Sequence, residues 1–216
     1  VSRGLGDVYK RQYYNSEKNH DVLILGDCEV YENISTVTMW ENYGISSYIR
    51  GSAEQLIWQS YYLLEDTLKY EKPQVVILNV LAMTESDAKN EAYNRMTLDG
   101  MKLSKYKIAS VRESMTEEEN MASYIFPLLR YHSRWSELSS EDFRYMWKTP
   151  SVTTNGYLMQ KGVRPVTTIP KAAPLANYTF SDRNMEYLDK IYSLCKDNGL
   201  SLIHISEPTR HSLISY

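Results

Sequence analysis

The sequence predicts a three-layer α/β/α domain built on a parallel sheet, and three observations predict it. Two short apolar runs, VLIL at 22–25 and VVIL at 75–78, have the length and unbroken character of strands buried on both faces. Residues 53–70 between them carry a single apolar stripe at Ile57, Tyr61, Leu64 and Leu68, spaced for one face of a helix. Strand, helix, strand, helix and strand then alternate over about 60 residues, the pattern of a parallel sheet.

The elements follow in order. The first strand, in DVLILGD, ends at Gly26-Asp27-Cys28. The stretch TVTMWENYG reads as one or two helical turns stopped by Gly44. Residues 46–50 form a short second strand closed by Gly51. The stripe helix follows over 53–70, with Pro73 beyond its end. QVVILNVL at 74–81 is the next buried strand. Valines 22 and 75 should therefore begin neighbouring parallel strands.

The middle of the chain, about 84–180, reads as a large helical insertion. Thr116 and Glu119 have capping-box spacing, and a helix is expected from there to about residue 135, with a kink at Pro127. Residues 140–148 are a further helix candidate. The stretch 149–180 carries four prolines and little periodicity, so it reads as a long irregular excursion, such as a lid. Ser181 then suits an N-cap. Met185, Leu188, Tyr192 and Cys195 suit an apolar stripe, and Gly199 suits a stop. A strand is expected over 202–205.

Composition excludes several classes. The chain has 216 residues, 43% hydrophobic and 24% charged, with a net charge of −3, so neither nucleic acid nor an anionic membrane is indicated as a partner. Two cysteines are too few for a disulfide scaffold. No run approaches the roughly 20 apolar residues of a membrane span. No His, Cys and carboxylate grouping has metal-ligand spacing, and the glycines form no phosphate loop, so no cofactor is called for.

Both ends resemble translated sequencing adapters: VSRGLGDVYKRQ at 1–12, and the tail 201–216, which begins SLIHISEPTR. The native segment is then 13–200, truncated at its C-terminus. Residues 1–12 and those beyond about 206 should make few contacts with the core. His204 and His211 fall in the tail, which leaves His20, expected to be exposed, and His132.

The chemistry-bearing junction is LGDCEVY. A nucleophile is well placed on the turn after a buried strand, at the carboxyl edge of an open sheet. A following helix N-terminus offers N–H groups and a positive dipole end to a thiolate or an oxyanion. Asp27 can support the loop by bonding its N–H groups.

LILGDCEVY resembles the first block of the SGNH/GDSL hydrolases. The likeness continues through IRGS, with Gly51, and VVILNVLAM, with Asn79. The resemblance implies a flavodoxin-like fold and an acyl-ester hydrolase or O-acyltransferase of an extracytoplasmic bacterial type. Its substrate would be an acylated carbohydrate or cell-surface polymer, and a membrane anchor could precede residue 13. It places Cys28 at the nucleophile position, with Gly51 and Asn79 as oxyanion-hole donors. The chain departs from the family in three ways. A cysteine replaces the serine, Asn79 lies early within its apolar run, and the Asp-x-x-His base motif is absent, so the fragment is expected to be inactive.

Plainer readings stand beside these. Cys28 can be a small buried hydrophobe at a strand end, Asn79 a loop-capping amide, and Gly51 a turn residue. Cys195 is expected in the core. His132 can be a packed histidine or can bind an anionic group with Arg130 and Arg134. For the whole chain, the alternative to an enzyme is a non-catalytic carbohydrate-binding or assembly protein with a degenerate site.

Overall fold

The apolar run at 22–25 forms β1 (Val22–Gly26), buried along its whole length. The computed structural model describes residues 12–85, 87–88, 90–127, 129, 153, 155–159 and 179–205. The chain continues through α1 (Cys28–Asn33) and α2 (Thr36–Tyr43) to β2 (Ser47–Gly51). Helix α3 (Ile57–Thr67) leads to β3 (Val75–Asn79) and a 3-10 turn (Val80–Thr84). Helices α4 (Glu91–Leu98), α5 (Lys105–Ser114) and α6 (Met121–Ile125) follow, and α7 (Asp182–Asn198) precedes β4 (Ser201–Ile205).

The four strands are all parallel in the order β2-β1-β3-β4. Val22 pairs with Ser47 on one side and Val75 on the other, so β1 is central and the paired valines lie as expected. Alternation along β1 separates two cores. Leu23 and Leu25 face α3, α5 and α7 with Ile57, Trp58, Leu64 and Ile191. Val22 and Ile24 face α1 and α2 with Val30, Tyr31 and Met39. Helices on both faces make the three layers. No helix among the described residues is long and apolar enough to cross a membrane.

Several boundaries differ from expectation for physical reasons. Helix α3 starts four residues late, because Ser52–Gln55 closes a turn (Gln55 N–H to Ser52 O, 3.1 Å), and Gln59 Oε1 caps by accepting from Leu56 N–H at 3.1 Å. Thr116 and Glu119 form one half of the expected box: Glu119 Oε1 accepts from Thr116 N–H at 3.1 Å and from Thr116 Oγ1 at 3.0 Å, while Glu119 N–H donates to Thr116 O. The helix, however, begins at Met121 under an Asn120 cap and ends before Pro127. In α7 the buried face is Asn184, Tyr187, Ile191 and Cys195. Met185 and Tyr192 are instead 42% and 56% exposed. Ser181 caps α7, and Gly199 ends it in the left-handed conformation, φ 67°. Strand β4 pairs with β3 from Val75↔Ser201 to Asn79↔Ile205, but its side chains stay largely exposed because it lies at the sheet edge.

His20 corrects an expectation. It is buried, not exposed, and its Nδ1 lies 2.8 Å from Glu71 Oε2, which also accepts from His20 N–H at 3.0 Å. Tyr13 donates to Glu71 Oε1 at 2.8 Å and is fully buried. Residues 1–11 and 206–216 lie outside the described residues. Burial alone would raise the Glu71 pKa, but the His20 ring, His20 N–H and Tyr13 hydroxyl outweigh it and hold the carboxyl below its ordinary range. A depressed carboxylate stabilises the fold above its unfolded pKa, near 4, and that contribution is lost as pH falls through the folded value. Glu71→Gln should therefore flatten the acid limb of a stability–pH curve below about pH 4. An unchanged acid limb in the variant contradicts this.

Candidate functional site at the carboxyl edge of the sheet

From β1 the chain builds the sheet outward in both directions, β2 to one side and β3 to the other. This makes the carboxyl ends of β1 and β3 a topological switch point, where ligands bind in open α/β sheets. Gly26, Asp27, Cys28 and Asn79 meet there. Asp27 caps α1, and its Oδ1 accepts from Glu29 N–H at 3.0 Å and from Asn79 Nδ2 at 3.2 Å. Asn79 Nδ2 lies 3.4 Å from Glu29 Oε2, while Asn79 Oδ1 accepts from Leu81 N–H at 2.8 Å. The loops after β1 and β3 are thus tied by one buried amide, 2% exposed. Asp27 occupies the loop-supporting role read for it.

Gly26 makes this closure possible. Its φ is +152°, and a Cβ there would lie 2.6 Å from Asn79 Cβ and 2.9 Å from Val30 Cγ1. Only glycine fits between the two loops without a shift.

Cys28 opens α1 at the carboxyl edge of β1, as expected, and is partly buried. Its electrostatics differ from the expectation. Burial pushes the thiol pKa up, and the carboxylates of Asp27, Glu32 and Glu29 push it further, against a smaller lowering by its own backbone N–H. The six-residue α1 does not offset three acids. Iodoacetamide should accordingly alkylate Cys28 more slowly at pH 7 than it alkylates an unstructured cysteine peptide. Peptide mapping by mass spectrometry reads this directly, and fast labelling of Cys28 at pH 7 contradicts it.

Gly51 is near this edge but turned away from it. Ser52 N–H donates to Gly26 O at 3.2 Å, facing β1, while Ile49 N–H donates outward to Asn155 O at 3.0 Å. Neighbouring N–H groups of a strand point to opposite edges, so Gly51 N–H points outward with that of Ile49. Of the three residues expected to converge, Cys28 and Asn79 stand at the carboxyl ends of the neighbouring strands β1 and β3, and Asn79 bonds Asp27 and Glu29 there. Gly51 serves packing: a Cβ there would lie 2.5 Å from Val30 Cγ2.

The outer edge of β2 is covered by a strap from the predicted excursion. Asn155 Nδ2 donates to Ser47 O at 2.9 Å, and Leu158 N–H donates to Tyr31 O at 2.8 Å. Gly156, φ +86°, passes so close that a Cβ would lie 2.5 Å from Ile49 O. Beside Gly51, between this strap, Tyr31 and the end of α4, a cavity of about 180 Å³ opens.

Three further residues of this edge were not singled out from the sequence. Glu29 and Tyr31 lie within α1, where nothing in the residue pattern marks them. Glu54 has φ 55°, the one positive φ outside glycine among the described residues. Left-handed glutamate is uncommon, and no local motif announces it. His20 lies before β1, at the opposite end of the sheet from Cys28, a five-residue strand or roughly 16 Å away, too far to act as its base. His204 lies on exposed β4, opposite Leu78. Arg130, His132 and Arg134 fall outside the described residues, as do 140–148. No group of metal-ligating side chains occurs among the described residues. No family model matches the chain, and neither a curated protein nor a solved structure does.

Proposed function

We propose that the chain is part of an SGNH/GDSL-type domain. Its intact parent is an acyl-ester hydrolase or O-acyltransferase acting on an acylated carbohydrate or cell-surface polymer outside the cytoplasm. The observation that supports this reading most is the Gly26-Asp27-Cys28 turn tied to Asn79 at the switch point between β1 and β3. In this reading Cys28 Sγ attacks the acyl carbonyl carbon, a base takes the thiol proton, and the alcohol leaves carrying a proton from that base. The resulting thioester passes its acyl group to water or to a second hydroxyl. Cys28 N–H and the Asn79 amide are the donors to the oxyanion, and Gly51 is not among them. This reading needs a base of the Asp-x-x-His type, and no such motif occurs in the 216 residues, so negligible turnover of acyl esters is expected of them alone.

A second reading, a non-catalytic carbohydrate-binding or assembly protein, draws support from the Asn79 amide, already engaged by Asp27 and Glu29, and from the acids around Cys28, which push its thiol pKa up. One experiment separates them. The parent with its full C-terminus is assayed on p-nitrophenyl acetate and an acetylated polysaccharide, with and without Cys28→Ala. Turnover that Cys28→Ala abolishes supports the enzyme. Polysaccharide binding without turnover, unchanged by Cys28→Ala, supports the binder.

A further inference from the structure

The cavity on the outer edge of β2 is a site distinct from Cys28 and Asn79, neither of which lines it. Its walls are mostly apolar: Tyr31, Ile49, Leu63, Met96, Met101 and Leu158. Arg50, Ser52, Gln55 and Thr97 in the wall are already hydrogen-bonded within the protein. Arg50 Nη1 donates to Leu63 O, Asp66 Oδ2 and Thr67 Oγ1 at 2.9–3.1 Å, and Nη2 donates to Tyr14 at 3.2 Å. Ser52 is bonded to Gln55 Oε1 at 3.1 Å and to Thr97. Gln55 Nε2 donates to Arg50 O at 3.2 Å and Ser60 Oγ at 2.9 Å. Among the described residues that line the cavity, an ionic ligand would find no uncommitted charge, whereas an apolar one displaces none of these hydrogen bonds.

Size narrows the ligand. A dry apolar cavity of about 150 Å³ is known to hold benzene. The 180 Å³ here accommodates one such ring with a substituent. We infer that the β2-edge cavity binds an uncharged apolar group the size of a substituted benzene ring, independently of any chemistry at Cys28. Gly156 and Leu158 of the strap line the cavity, so an occupant adds contacts between the strap and β2.

Toluene is the first probe, added to the full chain and followed by saturation-transfer NMR and by the rise in Tm. Binding is expected, with benzoate at least 10-fold weaker because its charge is unmatched. Ala53→Leu fills the cavity from the turn after β2, and Leu158→Trp fills it from the strap. Either variant, folded by circular dichroism, should abolish the toluene signal, while Cys28→Ala should leave it unchanged. Comparing toluene with p-tolyl glucoside shows whether the group arrives free (equal affinity) or as part of a larger molecule (glucoside tighter). Absence of toluene binding up to its solubility, binding that persists in both filled variants, or benzoate binding as tightly as toluene overturns the assignment. Because no arm measures turnover, its failure leaves the acyl-ester reading standing, and the reverse also holds.

Discussion

Replacing Arg50 with alanine is expected to lower the unfolding free energy by about 3–5 kcal/mol, the usual cost of stranding one member of a buried ion pair. Arg50 and Asp66 pair at 3.0 Å with side chains only 5% and 2% exposed. The guanidinium also lies 4.3 Å from the centre of the Tyr13 ring, and Tyr14 donates to Asp66 Oδ2 at 2.6 Å. This cluster joins β2, α3 and the turn at Tyr13 and Tyr14. Its loss leaves Asp66 in an apolar setting with a single neutral donor. Urea unfolding followed by circular dichroism measures the effect. Arg50→Met with Asp66→Leu should recover much of it, since apolar replacement of both partners removes the stranded charge. A loss below about 1 kcal/mol for Arg50→Ala, the scale of a solvated surface pair, would show that the cluster is not buried as described.

Gly26→Ala is expected to cost about 3 kcal/mol or more, from two causes acting together. Alanine at φ +152° carries backbone strain of order 1–3 kcal/mol, and its methyl overlaps Asn79 Cβ and Val30 Cγ1. Overpacking of that kind adds roughly 1–3 kcal/mol. Gly44→Ala is the control: φ is +65° but the space is open, so only a conformational penalty of about 1 kcal/mol applies. The midpoint shift for Gly26→Ala should exceed that for Gly44→Ala at least twofold. Equal shifts would mean that the β1 and β3 loops do not close on Gly26.

The parts of the fold carried by uninterrupted apolar runs were legible in the sequence. β1 and β3 are such runs, and Gly44, Ser181 and Gly199 terminate helices where their chemistry requires. Helices α4 and α5 were not legible, because their buried faces are mostly polar. α4 buries Asn94, Arg95 and Thr97 with one apolar residue, Leu98, and α5 buries Lys107, Ser110 and Ser114 with one, Val111. No apolar period marks such helices; they are held by bonds such as Gln59 Nε2 to Asn94 Oδ1 (3.1 Å) and Trp58 Nε1 to Ser114 Oγ (3.0 Å). The stripe predicted for α7 was rotated by about one residue for a related reason. Asn184 sits on the inward face, donating to Met83 O and Glu85 O at 2.9 Å, and a hydrophobicity pattern passes over it.

At the site, position along the strands was legible but hydrogen-bond direction was not. Cys28, Asp27 and Asn79 follow from where β1 and β3 end. Whether Gly51 N–H faces Cys28 depends on the parity of β2 in its pairing with β1, which the register Gly26↔Gly51 sets and no local residue pattern announces. The Cys28 thiol likewise depends on which carboxylates the α1 turn gathers. Asp27, Glu29 and Glu32 all raise its pKa, against the usual influence of a helix N-terminus.

The central claim, that Cys28 is the acyl-accepting group of the parent, is tested most directly by trapping. The parent with its full C-terminus is mixed with p-nitrophenyl acetate, quenched in acid within the first turnover, digested and mapped by mass spectrometry. The account predicts an acetyl thioester on the peptide containing Cys28, released by neutral hydroxylamine and absent from Cys28→Ala. Turnover with the acetyl group on another residue, or with Cys28 unmodified, would contradict it.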